Sequence, residues 1–113
     1  MAKWLLIIHS NCNDPLREEA FNEWYSNVHI PDVLTNPGFT NAARYKQVFV
    51  PNTGYEKSNP NVLESKYLAT YEIETGDINM VIRTMLERAK SRDKSRSTDR
   101  FNLVIRGVYQ EIN

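Results

Sequence analysis

The chain has 113 residues, with 14 Lys and Arg against 14 Asp and Glu and 41% hydrophobic side chains, which suits a single domain spanning 1–113 around one core. The balanced charge provides no global field for nucleic acid or an anionic membrane, so the expected partner is a small apolar or aromatic molecule. A single cysteine, Cys12, excludes an internal disulfide and a cysteine-built metal centre within one chain and fits a reducing, cytoplasmic setting.

Residues 3–10 form a near-continuous apolar run, Trp4-Leu5-Leu6-Ile7-Ile8 followed by His9. It is too short for a signal-peptide core or a membrane span and reads as a strand covered on both faces. Asn11 to Pro15 reads as a turn and helix start, with Asp14 as cap, Pro15 at the first helical position, and Glu18 and Glu19 complementing the positive helix end. Leu16, Ala20, Phe21, Trp24, Tyr25 and Val28 then recur at helical spacing as a buried stripe. His29 extends the Tyr25 row by four residues. Pro31 and the Pro37-Gly38 pair predict that the helix stops at His29 and turns directly into the next strand.

That strand is expected over 39–50, with Phe39, Ala43, Tyr45 and Phe49 on one face and Thr40, Arg44, Lys46 and Val48 on the other. Residues 51–65 read as a long loop, placed to act as a lid or spacer. A third strand follows over Tyr67–Glu74, with Tyr67, Ala69, Tyr71 and Ile73 on one side. Thr75, Gly76 and Asp77 offer a helix start, and Ile78, Val81, Ile82, Met85 and Ala89 form the stripe of a second helix. Arg88 to Arg100 is a polar, mostly basic connector, and Phe101 to Ile112 is the last strand.

The order strand, helix, strand, strand, helix, strand predicts an α+β domain of ferredoxin-like βαββαβ type: a four-stranded antiparallel sheet with two helices on one face. Alternate positions on every strand are apolar, so the uncovered face is too hydrophobic for a lone subunit. A homodimer packing sheet on sheet is the consequence.

Phe21, Trp24-Tyr25, His29, Pro31, Val33-Leu34 and Pro37-Gly38-Phe39 resemble the EthD-like members of the dimeric α+β barrel superfamily, and Tyr67-Leu68-Ala69-Thr70-Tyr71-Glu72 looks like their third strand. The resemblance implies the dimeric α+β barrel and a choice among small cofactor-free cyclases, isomerases and lyases, monooxygenases, and haem-binding members. For a haem this chain offers only His9 and His29 as axial ligands. Fold alone does not choose among these activities, and no cofactor is assigned.

His29 is the leading candidate for a general acid or base, a role the resemblance supports more than the spacing does, with Asp32 placed to orient it. The alternative is a helix-end histidine bonded to a backbone carbonyl. His9 continues the Leu5, Ile7 face and is a candidate for the same cleft. Tyr71 and Tyr67 can orient a ligand carbonyl through their phenols or pack an interface. Tyr25 is a further cleft tyrosine, and Trp24 reads as core and aromatic wall. Arg44 and Arg106, both mid-strand, either take a carboxylate or enolate oxygen of a substrate or, the favoured reading, pair with Glu72 or Glu74 across the sheet. His9, His29 and Asp32 have no familiar metal-ligand spacing, so no metal site is assigned.

The leading function is therefore a cofactor-independent lyase, isomerase or cyclase acting on a small apolar or aromatic oxygenated molecule. A non-catalytic ligand-binding or accessory dimer stands second. A monooxygenase, cofactor-free or haem-dependent, stands third.

Overall fold

The computed structural model describes residues 1–12, 14–48, 50–54, 66–90 and 101–112, with 101–105 described at the level of the backbone. Most of the 51–65 loop and of the basic connector lies outside the described residues, as does Phe49. Four strands, β1 (Ala2–Cys12), β2 (Phe39–Lys46), β3 (Tyr67–Thr75) and β4 (Phe101–Gln110), form one sheet in the order β2-β3-β1-β4. Each neighbouring pair is antiparallel. Helical segments α1 (Glu18–Trp24), α2 (Ile30–Val33) and α3 (Ile78–Ala89) complete the expected order.

Local chemistry explains where these elements begin. The Asp14 carboxylate accepts the Leu16 amide at 3.0 Å, with Pro15 at the first position of a 3-10 turn that leads into α1, and Asp77 accepts the Met80 amide at 3.1 Å to open α3. Both satisfy amides that a helix start leaves without intrahelical partners. Gly38 sits at φ +91, and a Cβ there would stand 3.2 Å from Val81 Cγ2. The turn before β2 therefore needs glycine for its backbone and for the close approach of α3.

The core lies between the sheet and the helices. Tyr67, Ala69, Tyr71 and Ile73 of β3 face it at 7%, 2%, 0% and 0% exposure, joined by Leu6, Phe21, Tyr25, Val33, Phe39 and Val81. The β3 alternation and the α3 stripe are as the sequence predicts, with Ile78, Ile82 and Met85 packed against this cluster. The first stripe is narrower than predicted. Leu16 is 96% exposed and Val28 40%, because only the Phe21, Tyr25 row points at the sheet.

Two other expectations are corrected. The helix does not stop at His29: Tyr25–His29 widens into a π-helical turn and the chain continues as α2 to Val33. The Ile30 amide donates to the Tyr25 carbonyl, five residues back. Pro31 has no amide to donate, and in a regular helix its ring clashes with the carbonyl of Asn27, so a wider turn admits proline without ending the helix.

Strand β2 is the second correction. Phe39 pairs with Ile73 but Asn41 pairs with Glu72, leaving Thr40 as an extra residue. This bulge inverts the alternation beyond it. Ala42, Arg44 and Lys46 stand opposite Tyr71, Ala69 and Tyr67 on the helix side with Phe39, while Ala43 and Tyr45 take the open side, so Phe39 does not share a face with Ala43 and Tyr45 as predicted.

Candidate functional site

The π turn and the bulge bring the predicted aromatic, imidazole and guanidinium groups to one place. Tyr25, the first residue of the π turn, is 1% exposed. Its ring meets Phe21 edge-on at 5.6 Å, Trp24 at 5.7 Å and His29 at 4.9 Å. His29, the last residue of that turn, stacks nearly parallel on Trp24, with centroids 4.9 Å apart and planes at 23°. The imidazole is thus sandwiched by aromatic neighbours and only half-buried. Helix segments widened by one residue recur at functional sites because they re-aim side chains that a regular helix would turn away.

From the sheet, Tyr71 (0% exposed) brings its phenol into the same buried group. Burial pushes the Tyr25 hydroxyl above its ordinary pKa, and the neighbouring Tyr71 phenol and the Arg44 charge draw it back only in part. Tyr25 consequently stays a neutral hydrogen-bond donor across the physiological range. Tyr67 closes the other end: its phenol accepts from Asn22 Nδ2 at 3.0 Å and its ring lies 5.6 Å from Phe21.

Arg44 does not pair with Glu72 or Glu74 as predicted, because the bulge turns it to the helix side. Its guanidinium carbon stands 4.5 Å from the Tyr25 ring centre, 5.1 Å from Tyr67 and 5.6 Å from Phe21. Asn22 and Ser26 of the first helix hold its outer edge. Desolvation pulls its pKa down, with the neighbouring tyrosines opposing the shift, yet a guanidinium remains charged at any working pH. Asn22 and Ser26 were not singled out from the sequence. Their four-residue spacing, bordering the Phe21, Tyr25 row, was the signal available. Glu72 instead accepts from Asn41 Nδ2 at 2.8 Å. Arg106 pairs in register with Ile8 on β4, two strands from Glu72 and Glu74.

One expected member, His9, lies apart. His9 sits on β1 opposite Leu68 and Ile105, on the open side of the sheet, so it does not share the cleft proposed for it. It borders a separate hollow of about 180 Å³ with Tyr45, Lys46 and Lys66. A larger one of about 510 Å³ lies at the sheet's far end beside Lys3, Trp4, Glu74 and Tyr109. Asp32 lies in α2, one turn beyond His29, where its carbonyl accepts the Thr35 hydroxyl at 2.6 Å. Arg88 of α3 donates to the carbonyl and hydroxyl of Thr35 and pins that turn. Cys12 is half-buried, its thiol donating to the Asp14 carbonyl at 3.2 Å. Among the described residues no set of three His, Cys, Asp or Glu side chains is placed to hold a metal ion, and no helix is long and apolar enough to cross a membrane.

No protein-family model and no curated protein matches the chain. Solved structures do. An ethyl tert-butyl ether D (EthD) family protein from Bacillus halodurans superposes with a TM-score of 0.60 at 18% identity, over 99% of this chain and 100% of that one. HapK from Hahella chejuensis gives 0.59 at 15% identity, over 96% and 92%. A candidate monooxygenase from Shewanella loihica PV-4 gives 0.57 at 12%, over 100% and 98%. The chain shares with them the ferredoxin-like α+β fold.

Proposed function

We propose that the chain is a cofactor-independent enzyme of the lyase, isomerase or cyclase class, acting as a homodimer on a small aromatic oxygenated molecule. The observation that carries this reading is His29 on its π turn, stacked on Trp24 and set edge-on to a buried tyrosine that remains protonated. A half-buried imidazole can take a proton from an acidic carbon and return it elsewhere, while the Tyr25 and Tyr71 phenols supply hydrogen bonds to a developing oxyanion. Trp24 and Tyr67 are the apolar walls, and Asp32, one turn on, supports the histidine. The uncovered sheet face, with Leu5 at 36%, Tyr45 at 56% and Tyr109 at 57% exposure, supports burial against a second copy.

The near-complete burial of Tyr25 and Tyr71 favours one second reading, a ligand-binding or accessory dimer in which His29 is structural. Solvent deuterium exchange separates the two. Wild-type protein incubated in heavy water with 2-tetralone, a ketone with acidic benzylic hydrogens, is expected to accelerate their exchange as read by proton NMR. His29→Asn, with its fold checked by circular dichroism, is expected to lose about 100-fold or more of that rate. Equal rates in the two proteins would remove His29 from the chemistry and favour the accessory role.

A further inference from the structure

The guanidinium of Arg44 stands at the rim of the aromatic cluster with no counter-charge beside it among the described residues. Nη1 donates to the Asn22 carbonyl at 3.4 Å and to Ser26 Oγ at 3.1 Å, and Nη2 donates to Asn22 Oδ1 at 2.9 Å. All three acceptors are neutral. A guanidinium carries five N–H bonds; three are used here, and the two left over include Nε–H, which is buried and has no acceptor among the described residues. No described carboxylate lies within ion-pair distance of it. A half-buried charge without a counter-charge, and a buried donor without an acceptor, both lower stability, and each calls for an explanation.

Geometry supplies one. Asn22 and Ser26 grip the guanidinium from the helix, the Tyr25, Tyr67 and Phe21 rings support it, and Ser26 is solvent-exposed. A planar fork is thus held in place with unused donors among flat apolar surfaces. That arrangement matches a flat anion, because paired N–H bonds to two oxygens are both strong and directional.

We infer that Arg44 is an anion-recognition residue, and that the ligand of this site carries a carboxylate, or an equivalent enolate oxygen, on a planar apolar ring. The inference deepens the proposed function and rests on the aromatic cluster being the ligand site. The guanidinium takes the anionic oxygens at the solvent-exposed Ser26 edge of the cluster. Arg44 then selects the substrate, and His29 remains the proton carrier.

The test is titration of the full chain with benzoate and with its neutral counterpart benzamide, reading the Arg44 Nε–H resonance and tryptophan fluorescence. Benzoate is expected to bind at least about tenfold more tightly, as a charge-assisted paired contact implies, and to shift the Nε–H signal. Arg44→Gln should abolish the preference. Arg44→Lys, which keeps the charge without the fork, should lose most of it and serves if the glutamine variant does not fold. Equal affinity for the two probes, absence of benzoate binding, or a preference that survives in both Arg44 variants overturns the inference. A benzoate preference with unchanged ketone exchange in His29→Asn overturns the proton-transfer reading and leaves this one standing.

Discussion

Tyr25 concentrates several effects on one side chain: the π turn presents it, Phe21, Trp24 and His29 meet it with their rings, and the Arg44 cation lies over its face. Because burial raises its pKa, a spectrophotometric alkaline titration should show a phenol step above the ordinary tyrosine range, and Tyr25→Phe should delete that late step. The sign follows from the direction of the shift. A folded-state pKa above the unfolded value, about 10, contributes stability that is fully present below pH 10 and lost as pH rises through the folded value. The late step surviving in Tyr25→Phe would assign it to another phenol. At this scale the sequence was informative where periodicity applied: Phe21, Tyr25 and His29 at four-residue spacing lie together as read. Arg44 was misassigned because the bulge at Thr40 has no mark in residue type. Neither glycine nor proline stands there to signal it.

Elements, too, were mostly visible before the structure. Cap chemistry at Asp14 and Asp77 and alternation along Tyr67–Ile73 translate directly into backbone hydrogen bonds and burial. What failed was the end of the first helix, since Pro31 was read as a stop when a π turn accommodates it. The same proline carries a prediction. Pro31→Ala restores an amide that can bond the Asn27 carbonyl and removes the clash, so a regular helix becomes available. Part of that gain is offset by greater freedom in the unfolded chain. The variant is expected to be more stable by about 1 kcal/mol in urea unfolding, while His29 rotates away from Trp24 and ketone exchange falls. Unchanged exchange with a His29 NMR environment like the wild type would show that the wide turn does not depend on Pro31.

For the whole molecule, the sheet is covered on one side by helices, and Leu5, Tyr45, Tyr109 and His9 occupy the other. The alternation of β1 and β3 made this two-sidedness apparent from residue types alone. A carboxylate introduced at the centre of a buried sheet contact is costly, so on the proposed sheet-on-sheet assembly the wild type should sediment as a dimer at micromolar concentration in analytical ultracentrifugation and Leu5→Glu as a monomer. Retention of the dimer would place the contact elsewhere. The extra residue in β2 reaches to this scale as well. It acts as a phase shift in a two-beat rhythm: remove Thr40, and every side chain downstream exchanges sides. Arg44 would then pass to the open face of the sheet, the proposed contact with a second copy, and Tyr45 would swing in among the rings. A one-residue deletion would thus take the guanidinium out of the aromatic cluster and plant it on the open face, which ties this short irregular step both to the proposed ligand choice and to the proposed assembly.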